Sequence, residues 1–203
     1  MSSTQDCLLD AAEALFIENG YSATSLRSIA DRAGANLAAA HYHFGSKQGL
    51  LATLVHRRLT PINQARLKAL DELAANDSTP DIRSVLGAFL YPVAESADVK
   101  NLPALIGRIH SEPPAVIKEM LEKEFGEVAS HFIAALAKSL PDLPLEELHW
   151  RFHFVIGAML QTLTMPEPLG AQQQVSLDVK FEQLINFAIA GLTSPSLPIG
   201  DKA

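Results

Sequence analysis

The most informative part of the sequence runs from Thr24 to Leu51 and reads TSLRSIADRAGANLAAAHYHFGSKQGLL. Thr24 and Ser25 can cap a short helix that Gly34 ends, and Asn36 can cap a second short helix. Two short helices joined by a tight glycine-containing turn cross steeply, and this geometry can carry the second helix into the major groove of DNA. The pattern alone leaves open a helical hairpin that only packs its apolar face.

The second short helix combines small side chains with hydrogen-bonding ones. Its first residues, Leu37-Ala38-Ala-Ala, let a backbone approach base edges and contact thymine methyl groups. His41 and Tyr42 follow, and their polar tips suit phosphates or bases. Lys47 lies at the start of the next helix, where backbone amides and the helix dipole favour a phosphate. These residues predict a nucleic-acid-binding surface.

The charge of the chain is unevenly distributed, which matters because a net charge of −7 by itself disfavours binding to DNA. Residues 24–58 carry five Lys or Arg and one Asp, giving +4, and residues 1–23 carry four acidic residues, giving −4. The remaining −7 lies after residue 58. A small positive region on an acidic body suits a modular DNA-binding protein.

Apolar residues recur with helical spacing along the rest of the chain, which is rich in Ala and Leu and poor in β-branched residues. We expect an all-α protein of about nine helices, including a short sixth helix over residues 103–109. The fourth helix is predicted to place Ile62, Ala65, Ala69 and Leu73 on its apolar face.

The clearest linker is the polar run at residues 75–80, Ala-Asn-Asp-Ser-Thr-Pro. It predicts a helix-turn-helix DNA-binding domain over residues 1–55, with the fourth helix continuing to about residue 75. A larger helical domain is then expected over residues 76–203.

Several classes of protein are disfavoured by missing motifs. The sequence has no Gly-rich phosphate loop, HExxH, GxSxG or CxxC, so we expect neither an enzyme nor a cofactor. His149 and His153 lie one helical turn apart, but no Cys or third ligand accompanies them, so no metal site is expected. A single cysteine, Cys7, no secretory signal and no apolar run long enough to span a bilayer predict a cytoplasmic protein without membrane contact.

The runs G-Y-x-x-T-S-L-R-x-I-A-x-x-A-G and Y-H-F-G-S-K-x-x-L-L, over about residues 7–55, resemble the N-terminal domain of TetR-family repressors. The resemblance implies a transcriptional regulator that binds a palindromic double-stranded DNA operator as a homodimer. Many family members have Tyr where this chain has His41, so the chain departs from the family pattern at this position. The roles that the resemblance carries over are phosphate contacts by Thr24, Ser25, Arg27, Tyr42 and Lys47, base-edge contacts by Asn36, Leu37, Ala38 and His41, and core packing by Ile29, Ala30, Ala33 and Phe44.

The same resemblance implies an effector cavity within helices five to eight of the C-terminal domain. The sequence of residues 34–47 is similar to that of a subgroup that includes regulators responding to fatty acids or their thioesters. We therefore expect a small hydrophobic effector of fatty-acid-like or aromatic character. Arg108 and His110 suit a carboxylate or phosphate on such a ligand, and the alternative is a surface position in which Arg108 pairs with Glu112. The candidate pocket residues are Phe89, Tyr91, Arg108, His110, Phe125, Phe132, Trp150 and Gln161, of which the aromatic ones also fit a plain core.

The last two predicted helices carry more apolar surface than one thin bundle needs, which together with the resemblance predicts an intermolecular four-helix bundle. An alternative is control by a protein partner that docks on the acidic seventh helix, although a solvated surface explains its charges equally well. The candidate dimer residues are Phe152, Ile156, Met159, Leu160, Phe181, Leu184, Ile185 and Ala188.

Overall fold

A computed structural model describes residues 3–75, 79–96, 105, 114–165, 167 and 175–196, with the backbone alone for residues 114–121. Within these ranges the protein is entirely helical, as predicted, and the sixth predicted helix lies outside them apart from Leu105. The eight described helices are α1 (Thr4–Asn19), α2 (Leu26–Arg32), α3 (Leu37–Phe44), α4 (Lys47–Ala74), α5 (Ile82–Ala94), α6 (Pro114–Ser139), α7 (Leu145–Thr164) and α8 (Leu177–Leu192).

Side-chain caps fix where many of these helices begin. A Ser, Asn or Asp precedes the helix and accepts a hydrogen bond from a backbone amide in its first turn, which satisfies a donor that would otherwise have no helical partner. The residues that cap in this way are Ser3, Ser25, Asn36, Asp81 and Ser176.

The chain divides into two compact units, and helices α4 and α6 each contribute to both. Unit 1 comprises Met1–Asn63 and Ser96–Gly126. In it α1, α2 and α3 pack against one another around an apolar core. The fully buried core side chains include Leu8, Ala12, Phe16, Ile29, Ala30, Ala40, Leu50, Leu51 and Leu54.

Unit 2 comprises Gln64–Glu95 and Glu127–Ala203, and α8 packs against both α5 and α7. Its core is centred on Phe89, whose ring lies 5.2 Å from the ring of Phe132 and 5.1 Å from that of Phe152, both edge to face. Burying each phenylalanine stabilises the fold by roughly 1.5–3 kcal/mol.

The end of α8 is fastened to α7 by Arg151. Its Nη1 donates hydrogen bonds to the carbonyls of Gly191, Leu192 and Ser194 at 3.0, 2.7 and 2.7 Å, and its Nη2 donates to Glu147 at 2.6 Å. These bonds satisfy carbonyls at the C-terminal end of a helix, which have no partner within it. No described helix combines the length and hydropathy needed to cross a membrane.

Candidate nucleic-acid interface

Local hydrogen bonds fix the turn between α2 and α3. Ser25 and Ser28 form a reciprocal capping box, in which the amide of Ser28 donates to Ser25 Oγ at 3.0 Å. Gly34 adopts a φ of +65°, a conformation that residues with a side chain rarely adopt. Asn36 Oδ1 then accepts from the amide of Ala39 at 2.7 Å and starts α3. The capping and turn residues inferred from the sequence therefore hold α3 at a fixed angle to α2.

Helix α3 buries one face and exposes the other. Ala40 and Phe44 are buried, and the predicted base-contacting residues Leu37, Ala38 and His41 are exposed. Tyr42 is exposed as well. The outer face is thus apolar and small at its start and polar at its end, as a helix that enters a groove requires.

The ring of His41 is fixed by the end of its own helix. Nδ1 lies 3.1 Å from the carbonyl oxygen of Gly45, and because a carbonyl can only accept, Nδ1 carries the proton of this bond. Nε2 of the neutral ring is then an acceptor. This arrangement suits an amino group of adenine or cytosine rather than a guanine edge.

Two of the predicted phosphate contacts do not point outward. The Nζ of Lys47 donates to the carbonyls of Tyr21 and Thr24 at 2.9 and 2.8 Å and lies 4.1 Å from the centre of the Tyr21 ring. Thr24 is 3% exposed, and its hydroxyl donates to the carbonyl of Gly20 at 2.8 Å. Both side chains stabilise the loop between α1 and α2, and the phosphate contacts expected of Thr24 and Lys47 stay a prediction.

Acidic residues of α1 neutralise much of the positive region. Arg32 forms two hydrogen bonds with Glu18, at 2.7 and 2.8 Å, and these raise the pKa of Arg32. Arg57 donates to Asp10 at 2.7 Å. The charges of +4 and −4 that the sequence separates along the chain are therefore adjacent in the structure.

Arg58 also pairs with α1, through Glu13 Oε1 at 3.0 Å, and Glu13 is buried. The structure describes all five Lys and Arg residues of positions 24–58. Among them, Arg27 alone has neither an ion pair nor a hydrogen bond in the described part of the chain. Arg27 is exposed on α2 and remains available to a phosphate. Ser25 at the start of the same helix is also exposed, but its amide and hydroxyl both donate to Ser28 Oγ, at 3.0 and 3.1 Å.

Gly49 has a role that the sequence analysis missed. A Cβ atom at this position would lie 2.2 Å from the carbonyl oxygen of Phe44, closer than any real contact allows. The end of α3 and the start of α4 approach each other this closely only because residue 49 has no side chain. The sequence contained one signal of this role, because Gly49 lies three residues after Ser46, at the start of a predicted helix. In the structure Ser46 Oγ accepts a hydrogen bond from the Gly49 amide at 3.0 Å.

Two family models match the chain. One, described as "Bacterial regulatory proteins, tetR family", matches residues 8–54, and the other, described as "Tetracyclin repressor-like, C-terminal domain", matches residues 83–191. The chain belongs to the TetR family. It is therefore a DNA-binding transcriptional regulator of the helix-turn-helix type, and the resemblance inferred from the sequence is confirmed.

Individual relatives agree with this assignment to the TetR family. The HTH-type transcriptional repressor KstR2 of Rhodococcus jostii is 26% identical over 93% of this chain and 90% of its own. The structure of NalD from Pseudomonas aeruginosa, the secondary repressor of a multidrug efflux pump, has a TM-score of 0.69 at 23% identity, over 93% of this chain and 96% of that chain. FadR from Bacillus subtilis, solved with stearoyl-CoA, has a TM-score of 0.68 at 15% identity, over 91% and 97%.

Within unit 2, the described pocket candidates of this TetR-family chain do not form one buried cluster. Phe89 and Phe132 are buried in unit 2, whereas Phe125 is half-buried in unit 1. Tyr91 is half-exposed and donates to Glu182, and this bond, with burial, raises the pKa of Tyr91 to about 12. The remaining four are Trp150 and Gln161, which are exposed on α7, and Arg108 and His110, which lie outside the described residues.

The predicted dimer residues also need correction, because the apolar face that they mark belongs mainly to the chain's own core. Ile156 and Leu160 are half-buried on α7. The aromatic side chains exposed on α7 and α8 are instead Trp150, Phe154 and Phe187, at 58%, 63% and 73%. The six predicted dimer residues that are buried within unit 2 are Phe152, Met159, Phe181, Leu184, Ile185 and Ala188.

Proposed function

We propose that this TetR-family regulator is a homodimeric repressor that binds a palindromic operator and is released by a small hydrophobic effector. Two sets of exposed side chains carry the proposal, those on the outward face of α3 and the aromatic ones of α7 and α8. The first suits DNA, and the second suits another copy of the chain.

The aromatic face supports dimerisation because large exposed apolar side chains mark interfaces in soluble proteins. The rings of Trp150 and Phe154 lie 6.2 Å apart on α7, and Phe187 is exposed on α8, which packs beside it. A two-fold axis at this face would bury the same residues of both copies. Aromatic side chains contribute large contact areas at such interfaces.

The symmetry of a two-fold dimer determines the symmetry of the DNA sequence that it binds. Two copies of α3 related by the axis would contact half-sites of inverted sequence, and in helix-turn-helix dimers these are about 34–36 Å apart or at a longer spacing. Leu37, Ala38 and His41 would contact base edges, and Ser25 and Arg27 would contact phosphates. The operator is therefore palindromic in this proposal.

The interior of unit 2 supports a hydrophobic effector, because its centre is a cluster of aromatic rings around Phe89. FadR, a protein of the same fold, was solved in complex with stearoyl-CoA, and this favours a fatty-acid-like compound as the effector. The effector would act by binding more tightly to a dimer conformation that does not fit the operator, which shifts the population away from the DNA-bound state.

The experiment is selection of genomic fragments by the purified full-length protein, followed by anisotropy titration of the enriched DNA at two salt concentrations. A recovered palindrome, bound tightly and more weakly at high salt, is the expected result. Mass spectrometry of the denatured protein would show whether it was purified with an effector. Enrichment of no sequence by effector-free protein contradicts the proposal.

A further inference from the structure

His41 lies on the exposed face of α3, and two hydrogen bonds connect it to the end of that helix. Its Nδ1 donates to the carbonyl oxygen of Gly45 at 3.1 Å, and its own carbonyl accepts from the Gly45 amide at 2.9 Å. Gly45 ends the helix with a φ of +69°, which residues with a side chain rarely adopt. The ring of His41 is therefore fastened to the backbone.

The orientation of this ring is set before DNA is bound. A side chain that is already ordered in the free protein loses less conformational entropy on binding, so its hydrogen bond contributes more to affinity. Nδ1 uses its proton within the chain, and the side chain of His41 is exposed to solvent. In the neutral ring, Nε2 then has no proton and can only accept a hydrogen bond.

An acceptor at this place on α3 suits a base edge and does not suit a phosphate. Phosphate oxygens only accept hydrogen bonds, and so do N7 and O6 of guanine. The hydrogen-bond donors of the major groove are the amino groups at N6 of adenine and N4 of cytosine. Leu37 and Ala38, about one turn earlier on the same face, are exposed and apolar, so they do not compete for these amino groups.

The hydrogen of the amino group is the feature that such an acceptor recognises. Every base pair carries one of these amino groups, on its adenine or on its cytosine. One of the two amino hydrogens pairs with the opposite base, and the second lies in the major groove. A methyl group in place of the second hydrogen removes the donor and adds bulk where the ring of His41 would lie.

We propose that His41 Nε2 accepts a hydrogen bond from the amino group of an adenine or cytosine in each half-site, and that methylation of this amino nitrogen blocks binding to the operator. The carbonyl of Gly45 is the positioning group, because it selects the tautomer that leaves Nε2 free to accept. The inference rests on the proposed entry of α3 into the major groove. It adds a specific chemical group of the operator and a DNA modification that controls binding.

The test uses the full-length protein and the operator that selection recovers. A second selection with His41→Leu identifies the base pair in question, which is the position where the preference of the wild type is lost. Loss of preference at no position overturns the inference. Anisotropy titrations then compare three operators: unmodified, methylated at the amino nitrogen (N6-methyladenine or N4-methylcytosine), and with N7 of the purine in that pair replaced by carbon. Mildly alkaline buffer favours neutral imidazole.

We expect methylation to weaken binding by the wild-type protein about tenfold, because a hydrogen bond to a buried acceptor is lost. Loss of the purine N7 should leave binding unchanged, because N7 only accepts hydrogen bonds. The salt dependence should keep its slope in all three titrations, since the phosphate contacts are the same. In His41→Leu the effect of methylation should disappear, and His41→Gln, which keeps an acceptor, should retain part of it.

His43→Leu is the matched control. His43 is also an exposed histidine of α3, but it lies on another side of the helix, beside the rings of Tyr42 and Phe44. This variant should show the full effect of methylation. Equal binding of methylated and unmodified operators by the wild-type protein would overturn the inference without any variant and leave the repressor proposal standing. Sensitivity to the loss of N7 instead of methylation would overturn it too, because Nε2 would then be a donor.

Discussion

Lys47 and Arg27 are both basic residues of the helix-turn-helix, but their charged groups have different surroundings. The ammonium group of Lys47 is held by two carbonyls and an aromatic ring of the same chain, whereas Arg27 is exposed. At the scale of single residues, the structure therefore separates a side chain that stabilises the domain from one that is available to DNA. The sequence could not separate them, because a lysine at a helix N-terminus fits either role.

Replacing Lys47 by Ala should lower the free energy of unfolding by about 2 kcal/mol, because two hydrogen bonds from a charged donor are lost. The salt dependence of DNA binding should keep its slope. Urea unfolding and anisotropy titrations over a range of salt concentrations measure the two quantities. Arg27→Ala is the contrasting variant, which should leave stability unchanged, weaken binding to all sequences and flatten the slope by about one unit. The reverse pattern would mean that Lys47 contacts the phosphate.

At the scale of helices, caps and turns were predictable and the buried face of α4 was not. Ser25 and Asn36 cap their helices as the sequence indicates. On α4, Ala65 was expected to face inward, but it is exposed and the adjacent Arg66 is buried. Alanine is small enough to occupy either face, and hydropathy ranks arginine as the least buried type. The observed buried face is therefore displaced by one residue from the predicted one at this position.

The junction between α3 and α4 should depend on Gly49. In Gly49→Ala the new methyl group would clash with the Phe44 carbonyl, and relief requires movement of the backbone. We expect a loss of roughly 1–3 kcal/mol in stability, together with weaker operator binding because α3 is displaced. Thermal unfolding and anisotropy check both effects. Gly126→Ala in α6 is the control, since its Cβ would meet nothing within 4 Å, and it should be neutral or stabilising.

The start of α5 should show a pH-dependent contribution from its cap, Asp81. A hydrogen bond from the Ser84 side chain, followed by one from the Ser84 backbone, lowers the pKa of Asp81 below its ordinary value of 3.8. A lowered pKa in the folded state means that the carboxylate stabilises the fold above about pH 4 and that this contribution disappears as the pH falls further. Asp81→Ala should cost about 1 kcal/mol at pH 7.

Urea unfolding of the wild type and Asp81→Ala at pH 7 and pH 3 measures this contribution. The difference between the two proteins should shrink at the lower pH. A difference that stays constant would show that the charge of Asp81 has no part in capping α5.

At the scale of the whole molecule, the family and the helical fold could be predicted, and the apolar residues left exposed on the surface could not. Periodicity identified the apolar faces of α7 and α8, but most residues on those faces, such as Phe181, are buried in the chain's own core. A sequence pattern does not distinguish an apolar face that meets its own chain from one that meets a second copy. The exposed residues Trp150, Phe154 and Phe187 became identifiable only from the packed structure.

Phe187→Glu should disrupt the proposed dimer, because it places a charge in an aromatic interface. A loss of about 2 kcal/mol, typical of a central interface residue, raises the dimer dissociation constant about thirtyfold. Analytical ultracentrifugation over a dilution series measures the shift. Gln64→Glu places the same charge on an exposed position of α4 and should leave the dimer intact. An unaltered association constant in Phe187→Glu would place the interface elsewhere.

In the proposed complex, two copies of the chain bind two inverted half-sites together. An anisotropy titration of the selected operator, beside the same fragment with one half-site scrambled, tests this arrangement. We expect two chains per intact operator and at least a hundredfold weaker binding to the scrambled fragment. Equal affinities for the two fragments, with one chain bound to each, would contradict it.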